Sequence, residues 1–194
     1  MLLSSNVFSQ LSRKHWIPPL HARTNNLVEE HYLYLSTPVI TPFQVTVTQG
    51  DGTPFPGSPF TISNANPVTI FIGGAQPSPM FVNSNELNEP TVKGLILEGT
   101  RDFYASFRVR STNHAEILVS KGNTAKGTSF RVGSLPQSYD STIRNFVTSF
   151  MATEDNTSVS VSDYNPNVVF LTSSGNLSVP TQNFILNAGE SVVL

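Results

Sequence analysis

Asn145 to Asp163 reads NFVTSFMATEDNTSVSVSD. Phe146 to Phe150 is aromatic and β-branched, and it leads into Met151 and Ala152. A polar knot follows, Thr153-Glu154-Asp155-Asn156-Thr157. Beyond it Val159 and Val161 alternate with Ser158, Ser160 and Ser162. Asp and Asn favour turns because their side chains bond nearby backbone and tolerate left-handed geometry. Alternation at period two places the valines on one face of a strand and the serines on the other. The stretch therefore predicts strand, turn, strand, paired as a hairpin. A hairpin alone is marginal in water, so it requires a larger sheet around it.

The same pattern recurs along the chain. Tyr32-Leu33-Tyr34-Leu35 starts a first strand, Thr37 to Pro42 turns, and Phe43, Val45 and Val47 alternate with Gln44, Thr46 and Thr48. Gln49-Gly50-Asp51-Gly52 is a turn signal. Phe60 and Ile62, Val68 to Ile72, Met80 to Val82, Leu95 to Glu98 and Phe103 to Val109 predict further strands, the last two separated by Gly99-Thr100-Arg101-Asp102. Ala115 to Ser120, Ser129 to Val132, Val168 to Leu171, Phe184 to Leu186 and Ser191 to Leu194 complete the set, with a loop bracketed by Gly122 and Gly127. Leu11 to Glu30 carries turn signals and no clean period. The one helical candidate is Asp140 to Phe146. The expected fold is all-β, with antiparallel sheets in sandwich-like units joined by Pro/Gly loops.

Laying the opening stretch over the first strand pair reveals an internal repeat. Leu35 falls on Met151, Thr37 on Thr153, Thr41 on Thr157, Phe43 on Val159 and Val45 on Val161, each offset by 116 (157 − 41 = 116). Ile62-Ser63-Asn64-Ala65 falls on Ile185-Leu186-Asn187-Ala188 at an offset of 123 (185 − 62 = 123), and Val68 to Phe71 then falls on Ser191 to Leu194. A period this long indicates two copies of a β-unit rather than a solenoid. The expected divisions are a signal remnant over 1–9, a lead segment over 10–30, a first β-unit over 31–135 and an incomplete second one over 136–194. The second copy stops before reaching a counterpart of Val109, as in a piece of a larger protein.

Composition narrows the function classes. Charged residues make up 12% of the 194 residues and the formal net charge is −2, with no basic run for nucleic acid or anionic lipid. The chain has no cysteine, so no disulfide framework, thiolate zinc site or thiol nucleophile. No apolar run approaches the roughly 20 residues that span a bilayer. Met1 to Gln10 resembles the end of a secretory signal, with Val7 and Ser9 fitting a cut before Gln10. The only tryptophan, Trp16, lies in Lys14-His15-Trp16-Ile17-Pro18-Pro19 and is expected to pack under the first sheet.

No catalytic signature emerges. Histidines 15, 21, 31 and 114 share no metal-binding spacing. There is no G-x-S-x-G elbow. The carboxylate pairs Glu29-Glu30 and Glu154-Asp155 are sequence neighbours, which on a strand point to opposite faces. Glu154, Asp155 and Asn156 could supply oxygens to calcium, but their spacing is not that of an EF-hand, and the capped-turn reading is preferred. No catalytic residue, cofactor or other metal ligand is expected.

The motifs K-H-W-I-P-P over Lys14–Pro19, Y-L-S-T-P over Tyr34–Pro38, V-S-K-G over Val119–Gly122, A-K-G-T-S-F-R-V-G-S over Ala125–Ser134 and M-A-T-E-D-N-T over Met151–Thr157 resemble the N-terminal region of large secreted Bacteroidetes proteins. Those proteins usually end in a type IX secretion sorting domain and are often labelled gliding-motility-associated. The Gly127–Val132 and Ala152–Val159 segments are also similar to the IgG Fc-binding protein N-terminal domain. The resemblance spans about Arg13 to Leu194. It implies a secreted or cell-surface β-rich module for adhesion or recognition, with a protein or glycan ligand and adjacent domains of the same chain as partners. A structural spacer is the alternative, and a hydrolase with a dispersed site a more distant one. Binding is then expected on the loops Thr53 to Pro59 and Gly73 to Pro79, held by a rigid scaffold. Asp140-Ser141-Thr142 resembles the Bacteroidetes O-glycosylation motif, which makes Ser141 a glycan candidate.

Overall fold

One strand, Leu95–Arg110, sixteen residues long, organises the first half of the chain. Leu95, Leu97, Phe103, Ala105 and Phe107 all occupy odd positions and are all buried, so the same face points inward on both sides of the exposed residues 100–102. Burying each of the large ones contributes about 1.5–3 kcal/mol. The computed structural model describes residues 10–21, 28–74, 77–112, 115–133 and 146–194. Within it the strands are β1 (Ser12–Ile17), β2 (Leu20–His21), β3 (Glu30–Ser36), β4 (Phe43–Gln49), β5 (Phe60–Ile62), β6 (Val68–Gly73), β7 (Phe81–Val82), β8 (Leu95–Arg110) and β9 (Ala115–Val119). The second half adds β10 (Ser149–Met151), β11 (Thr157–Val161), β12 (Phe170–Thr172), β13 (Gly175–Leu177), β14 (Gln182–Leu186) and β15 (Ser191–Val193). The fold is all-β and its sheets are antiparallel, apart from the short parallel contact of β2 with β7.

The sequence around Gly99-Thr100-Arg101-Asp102 suggests a break between two strands, but β8 runs through it. The chain changes partners there without reversing. Residues 95–99 pair with β4 and residues 95–98 with β1, while residues 104–110 pair with β3 on one side and 106–110 with β9 on the other. Gly99 leaves room for the Phe103 ring, which would stand 3.0 Å from a Cβ at that position. The result is two four-stranded layers, β5-β4-β8-β1 and β6-β3-β8-β9, that share β8. Their inner faces form one core containing Leu33, Leu35, Val45, Val47, Ile62, Ile70, Leu97 and Phe107. The lead segment is part of this layer structure, since Ser12–Ile17, just before Pro18 and Pro19, is the strand β1.

The opening stretch is an arch and not a hairpin. β10 and β11 are consecutive but do not pair with each other; β10 pairs with β15 and β11 with β14. The turn chemistry between them is as expected, with Asn156 in the left-handed region at φ 55°. Val159 and Val161 are half-buried and Ser158 and Ser160 exposed, so the predicted faces hold.

The repeat reappears in the pairing pattern. In the first half β3 pairs with β6 and β4 with β5; in the second, β10 pairs with β15 and β11 with β14. Leu35 stands opposite Val68, and its counterpart Met151 stands opposite Ser191, the counterpart of Val68. The superposition slips by one residue on β14. Ile62 is fully buried, but Ile185 is 73% exposed and its neighbours Phe184 and Leu186 face inward. A one-residue shift in a strand exchanges its faces.

Three further expectations change. Thr53 to Pro59 is not a free loop: Phe55 is buried in the main core, its N–H donates to the Val47 carbonyl 2.9 Å away, and the Val47 N–H donates to the Ser58 hydroxyl at 2.9 Å. Ser129 to Val132 forms no strand and is exposed. Trp16 lies on the outer side of β1, half-buried, with the ammonium groups of Lys14 and Lys126 at 5.6 and 5.4 Å from its ring, a cation–π arrangement on both. Ser141, His114 and residues 140–145 of the helical candidate lie outside the described residues.

Candidate functional site

The outer face of the β6-β3-β8-β9 layer carries a cluster of aromatic and apolar side chains, with Phe71, Ile117 and Val119 exposed on it. Because Leu33 and Leu35 point into the core, Tyr32 and Tyr34 point out. Strand register then sets one row across four strands: Phe71, Tyr32, Arg108 and Ile117. The next row is Thr69, Tyr34, Ser106 and Val119. Tyr32 lies 5.4 Å from Phe71 and 6.4 Å from Tyr34 between ring centroids, so the three rings form one cluster. Phe71 is 56% exposed and Ile117 61%, values that leave this face open to a partner.

Charge on the face is uneven. Arg110 closes its lower end against Glu29 at 3.2 Å and Glu30 at 4.0 Å. The Thr112 hydroxyl and Arg110 together hold the exposed Glu29 carboxyl below its ordinary range. Arg108, in the middle of the aromatic row, has no carboxylate partner among the described residues. A cation between Tyr32 and Ile117 can meet an anionic group, while the rings offer stacking surface. The signal for this face was present in the sequence as tyrosines at period two opposite leucines, although no motif marked it as a site.

The sequence-selected residues stand elsewhere. In the Glu154-Asp155-Asn156 turn, Asp155 Oδ1 accepts the Ala188 N–H at 3.0 Å, the Asn156 N–H donates to Asn187 Oδ1 at 3.4 Å, and the Thr157 hydroxyl donates to the Glu154 carbonyl at 2.6 Å. Asp155 and Asn187 thus tie the arch to the 187–190 loop, while the Glu154 carboxyl stands 4.0 Å from the Lys126 ammonium. Among the described residues no three His, Cys, Asp or Glu side chains converge as a metal set.

The described histidines are separate from one another. His15 is fully buried; its Nε2–H donates to the Phe103 carbonyl at 2.9 Å, with the Ser12 carbonyl at 3.2 Å, which leaves Nδ1 to accept the Ser120 hydroxyl at 2.9 Å. Burial lowers its pKa against the opposing pull of those carbonyls. His31 is also fully buried, with Nε2 at 2.7 Å from the Ser78 hydroxyl. Its Nδ1 has no hydrogen-bond partner among the described residues, and desolvation pushes its pKa down to about 4. Ser78 and Met80, two residues on, are buried, so the Gly73 to Pro79 loop is anchored inward at that end.

Comparison with family models, with curated proteins and with solved structures returned no match.

Proposed function

We propose that this chain is a non-catalytic extracellular recognition module of the kind found in the N-terminal regions of large secreted Bacteroidetes surface proteins. The carrying observation is the open row Phe71–Tyr32–Arg108–Ile117 on a rigid four-stranded layer. Rings fixed on strands lose little entropy on binding, and Arg108, without a carboxylate partner among the described residues, favours an acidic group on the ligand. The ligand is a protein or glycan that lies flat on the sheet. Phe55 and Ser78 tie the Thr53 to Pro59 and Gly73 to Pro79 loops to the core at those two residues.

The test is a glycan and protein-ligand array probed with the folded chain, followed by Tyr32→Ala, Phe71→Ala and Arg108→Ala. Binding that these substitutions abolish while the unfolding midpoint holds supports the reading. An array with no signal above background, or binding indifferent to all three, removes it. A spacer role has one specific observation in its favour. The 49–52 turn of the first half and the 187–190 loop of the second approach so closely that Gly50 and Gly189 leave no space for a Cβ on either residue.

A further inference from the structure

We propose that the outer face of the β6-β3-β8-β9 layer binds an acidic glycan. A carboxylate or sulfate of one sugar pairs with Arg108, and neighbouring sugars lie on the rings of Tyr32 and Phe71. The proposal rests on the reading of this face as a recognition surface and names the class of its ligand.

Strand geometry sets the size of the face. Adjacent strands lie about 4.8 Å apart, so the row Phe71–Tyr32–Arg108–Ile117 spans roughly 14 Å. Along β3, outward residues recur about every 6.8 Å, so Tyr32, Tyr34 and Ser36 cover a similar length in the other direction. Ser36 stands opposite Tyr104, which brings a third tyrosine to the face. A patch of this size, held by strand pairing on every row, takes a short oligosaccharide laid across the strands.

Charge selects an acidic sugar. Arg110 is committed to Glu29 and Glu30 at one end of the face. Arg108 stands two residues along β8 from it, between Tyr32 and Ile117, with no carboxylate partner among the described residues. A guanidinium presents a planar fork of N–H donors that a carboxylate or a sulfate accepts at two points. The two glutamates repel an acidic group from the Arg110 end, so Arg108 is its place and the chain runs along the row towards Phe71.

The hydroxyls select a glycan over a protein. Ser36, Thr69 and Ser106 and the phenols of Tyr32, Tyr34 and Tyr104 stand on this face, and none is hydrogen-bonded among the described residues. A protein surface closing over them would leave each unmatched hydroxyl dry, at about 1–3 kcal/mol apiece. A sugar carries many hydroxyls, each both donor and acceptor, together with apolar C–H surface that fits an aromatic ring. The exposed aliphatic side chains Ile117 and Val119 are confined to β9 at the edge, so the centre of the face is rings, hydroxyls and one cation.

The intact 194-residue protein is titrated calorimetrically with four hexasaccharides: oligogalacturonate, its neutral methyl ester, sulfated cellohexaose and plain cellohexaose. Saturable binding of at least one acidic hexamer is expected, and which of the two binds tells carboxylate from sulfate. Its neutral counterpart binds about tenfold more weakly or not at all, as loss of a charged hydrogen bond implies. Arg108→Gln removes this preference for the acidic form, and Phe71→Ala, at a residue already 56% exposed, weakens binding without moving the unfolding midpoint. The comparison of acidic and neutral sugars alters only the ligand, so it holds whatever the variants do to folding. The proposal is overturned if neither acidic hexamer binds, if the neutral forms bind equally well, or if folded Arg108→Gln keeps the preference. Should protein ligands bind through Tyr32 and Phe71 while no acidic hexamer does, the face is a recognition surface and the glycan assignment alone falls. If an array of proteins and glycans gives no signal, both fall.

Discussion

His31 Nε2 lies 2.7 Å from the Ser78 hydroxyl oxygen, inside the protein and 47 residues away in sequence. The Ser78 oxygen also accepts the Met80 N–H at 3.1 Å, so this contact holds β3 to the segment that leads into β7. A protonated ring would carry two N–H donors here, and Nδ1 has no acceptor among the described residues. Around the ring stand Phe81, Phe107 and the Gly73 backbone, none of them charged.

Stability is therefore expected to fall with acid. The native ring stays neutral to about pH 4, whereas the unfolded ring takes its proton near 6.5. Stability from this group is complete above 6.5 and is lost as pH falls from 6.5 towards 4. By pH 4.5 the loss from His31 is roughly 2.5 kcal/mol. His15, lowered in the same direction by burial, adds to it. Urea unfolding at pH 7 and pH 4.5 measures the slope, and His31→Gln should remove most of it. An unchanged slope in that variant would show that the histidine is not the titrating group.

The Gly50–Gly189 approach makes a second prediction. A Cβ on Gly50 would lie 2.6 Å from the Val92 carbonyl and closer still to that of Gly189. All the obstructing atoms are backbone, which cannot rotate away. Gly50→Ala should destabilise by about 2–3 kcal/mol through overpacking. Gly52→Ala is the control. Its φ is +84° but nothing lies within 4 Å, so it should cost only about 1 kcal/mol of backbone strain. Chemical denaturation separates the two; equal costs would mean that space at the joint does not matter.

The arch at 153–156 gives a third. Asp155→Ala removes the acceptor of the Ala188 N–H and should cost about 1 kcal/mol. Asn156→Gly keeps the left-handed residue and should be close to neutral, while Asn156→Val should cost about 1–2 kcal/mol. Because Asp155 already serves the backbone, millimolar calcium should leave the thermal midpoint where it is in EDTA. A rise in midpoint that Asp155→Ala abolishes would instead mark a calcium site.

What the sequence disclosed and what it hid divide along a physical line. Tyr32-Leu33-Tyr34-Leu35 and Phe43-Gln44-Val45-Thr46-Val47 reveal their faces because side-chain direction in a strand depends only on parity. Partner choice depends on contacts far away in the chain. The residues at 153–156 specify a reversal, and an arch satisfies them as well as a hairpin does, so β10 and β11 were legible as strands but not as non-partners. Gly99 and Asp102 carry turn chemistry, yet the packing of Phe103 and Leu97 into one core overrides it. β1 was hidden by the prolines that follow it. The outer row at Tyr32 was visible as a pattern, but only the pairing of β3, β6, β8 and β9 brings Phe71, Arg108 and Ile117 beside it.

Phe55 carries the last prediction. It sits in TPFPGSP, a sequence whose prolines and glycine suggest an exposed loop. Its ring is 8% exposed and belongs to the same core as Val47 and Leu97, and its N–H is bonded to the Val47 carbonyl. Phe55→Ala should therefore cost about 3–5 kcal/mol, as for a core phenylalanine. Pro54→Ala, at an exposed neighbour, should change stability by less than about 0.5 kcal/mol. The pair decides whether this segment is a free loop or a flap fastened over the β4 edge. If both variants unfold at the wild-type denaturant concentration, Phe55 contributes nothing to the core and the segment is available for binding after all.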